Sequence, residues 1–305
     1  YSAVQYQVLK EAFPEASLTI LGDLNQSVHP GFAISGYDVI GKVFEDKNSA
    51  LITLNKSYRS TRDIALFAKA LLPKGESLEA LERSGPLPRL FVTSASPISE
   101  SMPLSGSGYT YSHGQDRLLS QIVRDLESLS REGFKSIAVI CKTATESQLV
   151  YERLRHLREQ ALTDPAPSNQ GQSSHDQPSH DHRIGDHALP TEDTATADDA
   201  LNADGVQSSD EGHSRGALPI IHLVRAKDRR FVRGIVVIPS YLAKGLEFET
   251  ALIYGVDARR YSHPDDRRLL HMVCTRALHK LYLYSDGPVS PFISEVDPAL
   301  YESCT

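Results

Sequence analysis

Short continuous apolar runs alternate with longer stretches of helical period along most of this chain. Val4, Val8, Leu9, Ala12 and Phe13 recur at helical spacing until Pro14, which cannot extend a helix. An apolar run, Leu18-Thr19-Ile20-Leu21, then ends abruptly in Gly22-Asp23-Leu24-Asn25-Gln26. That is the pattern of a buried parallel strand delivering polar groups to a crevice, and equally of an ordinary strand-to-turn exit. Gly36 to Glu45 reads as a weak helix and Leu51 to Leu54 as another strand. Beyond Asn55 to Arg59, Ser60 or Thr61 can cap a helix through Ala65, Leu66, Phe67, Ala70 and Leu71, with Asp63 in its electropositive first turn. Tyr58-Arg59 just before that helix is placed to meet an anion or a flat base, or simply to pack and to pair with a surface carboxylate.

The alternation continues downstream. Arg89 to Val92 predicts a strand, and the Ser-, Gly- and Pro-rich stretch from Ser94 to Gly114 a loop. A helix is expected from about Gln115 to Arg131, a strand over Ser136 to Cys141, and a helix from Thr145 to about Glu159. Further strands are expected over Ile235 to Ile238 and Ala251 to Tyr254. A helix from Asp265 then carries Leu269, Leu270, Val273 and Leu278 inward and leads to a final strand. Helices alternating with strands apolar on both faces specify an α/β domain with a largely parallel sheet. The tail beyond Gly287-Pro288 carries no clear pattern.

Residues 161–217 break the alternation. They hold no aromatic residue and eleven carboxylates against two arginines, a composition that cannot bury enough apolar surface to offset its ordering entropy. An acidic disordered insertion is expected there, and the irregular spacing of His175, His180, His182 and His187 does not specify a metal site. The insertion accounts for the net charge of -7; the rest of the chain is mildly positive, which is neutral about a nucleic-acid partner. Arg225, Lys227, Arg229, Arg230 and Arg233 around Phe231 could track a phosphate backbone or form a solvated hairpin. Cys141, Cys274 and Cys304 form no CxxC spacing, so neither a disulfide framework nor a zinc site is indicated. No run reaches the length of a membrane span and no charged-then-apolar leader opens the chain, so a cytoplasmic setting is expected. A start at Tyr1 rather than Met reads as a piece of a longer protein.

Candidate chemistry concentrates in Lys244-Gly245-Leu246-Glu247-Phe248, between two apolar runs. Glycine lets backbone approach a ligand, lysine offers a point charge, and a glutamate can accept hydrogen bonds from ribose hydroxyls. A solvated mixed-charge turn has the same composition. Arg276 lies near a helix end between small Thr275 and Ala277, where little bulk blocks its guanidinium from an adjacent site.

Four blocks then stand in a fixed order: Gly22-Asp23-Leu24-Asn25-Gln26, Tyr58-Arg59-Ser60-Thr61, Lys244-Gly245-Leu246-Glu247-Phe248 and Cys274-Thr275-Arg276-Ala277. They resemble motifs III, IV, V and VI of the UvrD/Rep-like superfamily 1 helicases, over nearly the whole chain except the acidic insertion and the tail. The first block, the run from Pro239 to Phe248 and the Cys274 to His279 ending most resemble the HelD-like branch, bacterial motors associated with RNA polymerase. The resemblance implies a RecA-like, P-loop NTPase-type α/β fold: residues 1–54 end a first lobe, 55–160 and 218–290 form a second lobe, and 291–305 are a tail. It implies ATP and Mg2+ as cofactors, and as partners a missing N-terminal lobe and either RNA polymerase or single-stranded DNA in a bacterial cytoplasm. By the same resemblance Gln26 senses the γ-phosphate, Tyr58 stacks on adenine, Arg59 and Arg276 act as arginine fingers, Gly245 lines the phosphate pocket and Glu247 holds the ribose.

Two departures qualify the resemblance. The chain has no GxxxxGK[ST] loop, so this segment alone is not expected to hydrolyse ATP. His271 stands where relatives commonly carry Tyr, and Pro239-Ser240-Tyr241 replaces their Thr-x-His lead, which fits the HelD-like branch. A DNA helicase or translocase of the UvrD/Rep type and a non-catalytic binding lobe are the alternatives.

Overall fold

Seven parallel strands carry the architecture: β1 (Arg89–Thr93), β2 (Ser136–Cys141), β3 (Ile221–Leu223), β4 (Gly234–Pro239), β5 (Phe248–Tyr254), β6 (Ala277–Asp286) and β7 (Glu302–Cys304). Their order across the sheet is β7-β1-β6-β5-β2-β4-β3. The computed structural model describes residues 1–24, 34, 36–44, 49–53, 56–57, 59–73, 79–80, 83–93, 102–103, 110–111, 113–163, 219–228 and 232–304. The helices are α1 (Ala3–Ala12), α2 (Asp38–Phe44), α3 (Arg62–Ala70), α4 (His113–Arg131), α5 (Ala144–Thr163), the single turn α6 (Ser240–Ala243), α7 (Pro264–Cys274) and α8 (Pro291–Ser294).

The two faces of the sheet are covered by different helices, and the strands show why they read as unbroken apolar runs. In β2, Ile137, Val139 and Cys141 join the cluster under α4 and α5, while Ala138 and Ile140 join the one under α3 and α7. Side chains alternate along a strand, so a strand covered on both faces needs apolar residues at every position. Phe67, Ile64, Leu270 and Val273 close one layer, and Leu118, Ile122, Leu126 and Leu154 the other, all essentially inaccessible. Full burial of each such side chain contributes about 1.5–3 kcal/mol.

Most elements expected from Ser60 onward are present among the described residues, within a few residues of their expected ends. Three expectations are corrected. Leu18–Leu21 is irregular rather than a strand, with Leu21 88% exposed, and Leu51 to Thr53 is irregular too, with Ile52 79% exposed. A parallel strand needs a neighbour to supply its hydrogen bonds, and among the described residues nothing pairs with either run. The region after Gly287-Pro288 is structured: α8 packs Phe292 and Ile293 into the core, and β7 adds to the sheet edge against Arg89 to Phe91. Helix α5 continues to Thr163, past the expected start of the insertion; most of that segment, including its four named histidines, lies outside the described residues.

Candidate functional site

The loop after α6 is a tight turn built around one glycine. Lys244 has φ -60 and ψ 128, Gly245 has φ 82, and the Leu246 N–H donates to the Ala243 carbonyl at 3.0 Å. This is a type II turn, which demands a left-handed residue at its third position and so explains Gly245. A Cβ there would meet nothing within 4 Å, so the glycine serves the backbone conformation, and the space beside it is open. The turn delivers Glu247 to the start of β5 beside the start of β6, where the Phe248 N–H donates to the Arg276 carbonyl at 2.9 Å.

The approach to α3 is stitched to the same corner. Ser60 Oγ donates to the Ala277 carbonyl at 2.6 Å, and the Thr61 N–H donates to Leu278 O at 3.1 Å. Arg83 clamps the junction by donating to the carbonyls of Arg59 and Leu278. Thr61 is the N-cap residue of α3, yet its hydroxyl makes no capping bond; Ser60 is spent on β6 rather than on the helix. The result places Arg59 Nε 2.8 Å from Glu247 Oε1.

Arg276 lies beneath that pair and is 1% exposed. Its Nε donates to Met272 O at 3.1 Å, Nη1 to Leu246 O at 3.2 Å, and Nη2 to Thr275 Oγ1 at 3.1 Å. The small neighbours do not leave the guanidinium open, as its surroundings in the sequence imply: it folds back over the last turn of α7. Burial pushes its pKa down and Arg59 pushes the same way, while Glu247 and Asp23 oppose them. Two cations share this corner with two carboxylates, and each carboxylate tempers a repulsion that a bound polyanion would remove.

Arg59, Glu247 and Arg276, from three of the four sequence blocks, therefore lie together at the amino ends of β5 and β6, and Asp23 of the remaining block acts on Arg276 by its charge alone. Gly245 shapes the same corner. Gln26 and Tyr58 lie outside the described residues. His271 is buried, its Nδ1 2.8 Å from the Ala68 carbonyl, and so ties α7 to α3. In the basic run, Arg225 bonds Gln148 on α5 and closes a turn with Asp228; residues 229–231 lie outside the described set. Cys141 and Cys274 are buried, with burial pushing both thiols up, and Cys304 is half-buried. Among the described residues, no group of three His, Cys, Asp or Glu could hold a metal, and no helix is long and apolar enough to cross a membrane.

Sequence reasoning missed the clamp made by Arg83 and a second charged network at the opposite, carboxyl edge of the sheet. There Lys142 Nζ lies 2.7 Å from Asp266 Oδ1, Arg260 pairs with Glu146 and with Asp257, and Ser240 Oγ donates to the Lys142 carbonyl. The signal available was position: Lys142 directly follows an apolar strand, where open α/β sheets present their functional loops.

The segment that builds most of this corner is also the segment recognised by comparison. Residues 234–284 match the family model of the UvrD-like helicase C-terminal domain. They span β4 through most of β6, including the Gly245 turn, Glu247 and Arg276. Among solved structures, the chain is similar to the C-terminal domain of a possible DNA helicase from Lactobacillus plantarum WCFS1, at 23% identity and a TM-score of 0.48. That similarity covers 81% of this chain and 98% of the other. No curated protein matches.

Proposed function

We propose that the chain supplies the second, RecA-like lobe of an ATP-driven superfamily 1 motor of the HelD-like kind, which uses hydrolysis to remodel or release RNA polymerase on nucleic acid. The observation that carries the nucleotide half of this reading is the meeting of Arg59, Glu247 and Arg276 at one corner. A triphosphate is a polyanion joined to a sugar, and this corner holds two guanidinium groups and a carboxylate able to accept from ribose hydroxyls. Arg59 and Arg276 meet charge that develops on the γ-oxygens, and a finger of this kind contributes about 10³ to 10⁵ in rate. Gly245 leaves room beside the turn for phosphate, Gln26 senses the γ-phosphate and Tyr58 stacks on the base.

The residues fit ATP as one wall of its site. They do not fit Mg2+: the Glu247 carboxylate is engaged by Arg59 and two guanidinium groups would repel a dication, and the ion belongs to the lobe that bears a P-loop. The chain alone is inactive on this reading. Its polymerase partner is supported by the likeness of the Gly22 to Gln26, Pro239 to Phe248 and Cys274 to His279 blocks to the HelD-like branch.

The test uses the protein in which this lobe is joined to a P-loop lobe. ATP hydrolysis is expected to fall by at least a hundredfold in Arg276→Ala, within the range for loss of a finger, and the protein is expected to co-purify with RNA polymerase. Retained hydrolysis would remove the finger role. Strand separation stimulated by single-stranded DNA, without polymerase binding, would assign the motor to DNA unwinding instead.

A further inference from the structure

We propose that Lys142 is a positioning residue for Arg276, acting from the opposite edge of the sheet through helix α7. Its catalytic meaning rests on the nucleotide reading above. Helix α7 runs from the carboxyl-edge loop after β5 to the amino-edge start of β6. Eleven residues of α-helix span about 16 Å, so the rod carries a displacement at one end to the other.

Both ends of the rod are anchored by specific groups. At its start, Asp266 Oδ2 accepts from the Ser262 and His263 N–H groups in a capping box, while Oδ1 lies 2.7 Å from Lys142 Nζ. The ammonium is held in turn by the Arg260 carbonyl and lies 5.0 Å over the Tyr261 ring. Side-chain exposures of 24% for Lys142 and 12% for Asp266 keep solvent from screening most of this pair. Ser240, at the exit of β4, holds the Lys142 backbone at 2.7 Å. At the far end, Arg276 makes two of its three named hydrogen bonds to α7 and its capping residue, donating to Met272 O and Thr275 Oγ1. The guanidinium therefore goes where α7 goes. Lys142 fixes α7 against β2, in the middle of the sheet, and any anion that competes with Asp266 for Lys142 loosens Arg276 without touching it.

The pair also has a matched counterpart that separates coupling from mere stability. Arg153 Nη2 and Asp116 Oδ1 lie 3.0 Å apart, similarly half-buried, joining α5 to α4 on the other face of the sheet. Loss of that pair should weaken the fold without reaching Arg276.

Hydrogen exchange on this chain tests the coupling directly. In Lys142→Met, the Phe248 amide, which bonds the Arg276 carbonyl, is expected to exchange roughly tenfold faster, with β2 and β4 amides within about twofold of wild type. Lys142→Arg should restore protection, and Arg153→Met should leave Phe248 unchanged. If Lys142→Met does not fold, Asp266→Asn removes the same ion pair and keeps a capping oxygen. Unchanged Phe248 exchange, or faster exchange spread equally over β2 and β4, overturns the proposal. In the protein joined to its P-loop lobe, Lys142→Met should lower kcat about tenfold with KM for ATP within about twofold, the pattern of a group that acts only in the transition state. Unchanged kcat in Lys142→Met alongside a dead Arg276→Ala overturns the coupling and leaves the nucleotide site standing; hydrolysis retained in Arg276→Ala overturns the nucleotide site, while the exchange result still decides the coupling.

Discussion

Arg59 and Glu247 form a 2.8 Å ion pair across the mouth of the corner beneath which Arg276 is buried. The two side chains are 55% and 39% exposed, so the pair itself contributes little to stability, on the order of 0–1 kcal/mol. Glu247→Gln should therefore change the unfolding free energy by less than about 1 kcal/mol while weakening nucleotide binding. Denaturant titration and nucleotide titration of the P-loop-joined protein read the two effects separately. A large stability loss would show that the carboxylate is structural.

Arg276→Ala should behave in the opposite way. The guanidinium is satisfied by three named acceptors, and its removal leaves a void and takes a donor from the Leu246 and Met272 carbonyls, the second of which keeps the Thr275 hydroxyl. A loss of about 2–4 kcal/mol is expected, on top of the loss of activity. Arg276→Lys should recover part of the stability and little of the activity, because an ammonium cannot serve several acceptors in one plane.

Two glycines separate backbone cost from steric cost. Gly245→Ala places a methyl group in open space, so only its φ of 82 is penalised, at about 1 kcal/mol. Gly85→Ala has no unusual φ, but its Cβ would come within 2.5 Å of Thr61 Cγ2, forcing the start of α3 to shift at a cost of about 1–3 kcal/mol. Thermal unfolding of the two variants should rank Gly85→Ala as the worse.

A pH dependence follows from Asp125. Its carboxyl is raised above the ordinary aspartate range by burial, against the opposing pull of the Tyr284 hydroxyl, which donates to it at 2.7 Å, and of Gln121. The folded state therefore favours the protonated acid. This contribution is fully present below the unfolded value near 4 and is lost as pH rises through the raised folded value. Asp125→Asn should match or slightly exceed wild type at pH 7, and wild type should gain on the variant as the solution is acidified toward pH 4. Denaturation midpoints across that window check the sign.

The central strands were legible because burial on both faces leaves a run such as Ile137 to Cys141 with no polar position to confuse it. Leu18 to Leu21 carries the same pattern and is not a strand, because an apolar run records an affinity for a sheet and cannot report whether the neighbouring strand is there. The opposite error hid β7: Glu302 and Ser303 are polar, as an edge strand allows, so no pattern marked them. Of the corner, Glu247 and Arg276 were legible by motif spacing, but the burial of Arg276 depends on α7 folding back over it. The pairing of Lys142 with Asp266 joins residues from distant parts of the chain and has no local signature.

Strand β1 lies between β6 and β7 and pairs Arg89 with Tyr282 on one side and with Glu302 on the other. Both partners lie about 190 residues or more downstream, so the earliest strand of the sheet has no neighbour until nearly all the others exist. Closing so long a loop costs entropy before any contact compensates it, which slows folding. Arg89 to Thr93 is thus the last place where the sheet can close, and until then an apolar strand with two bare edges waits in solution, open to pairing with the wrong partner.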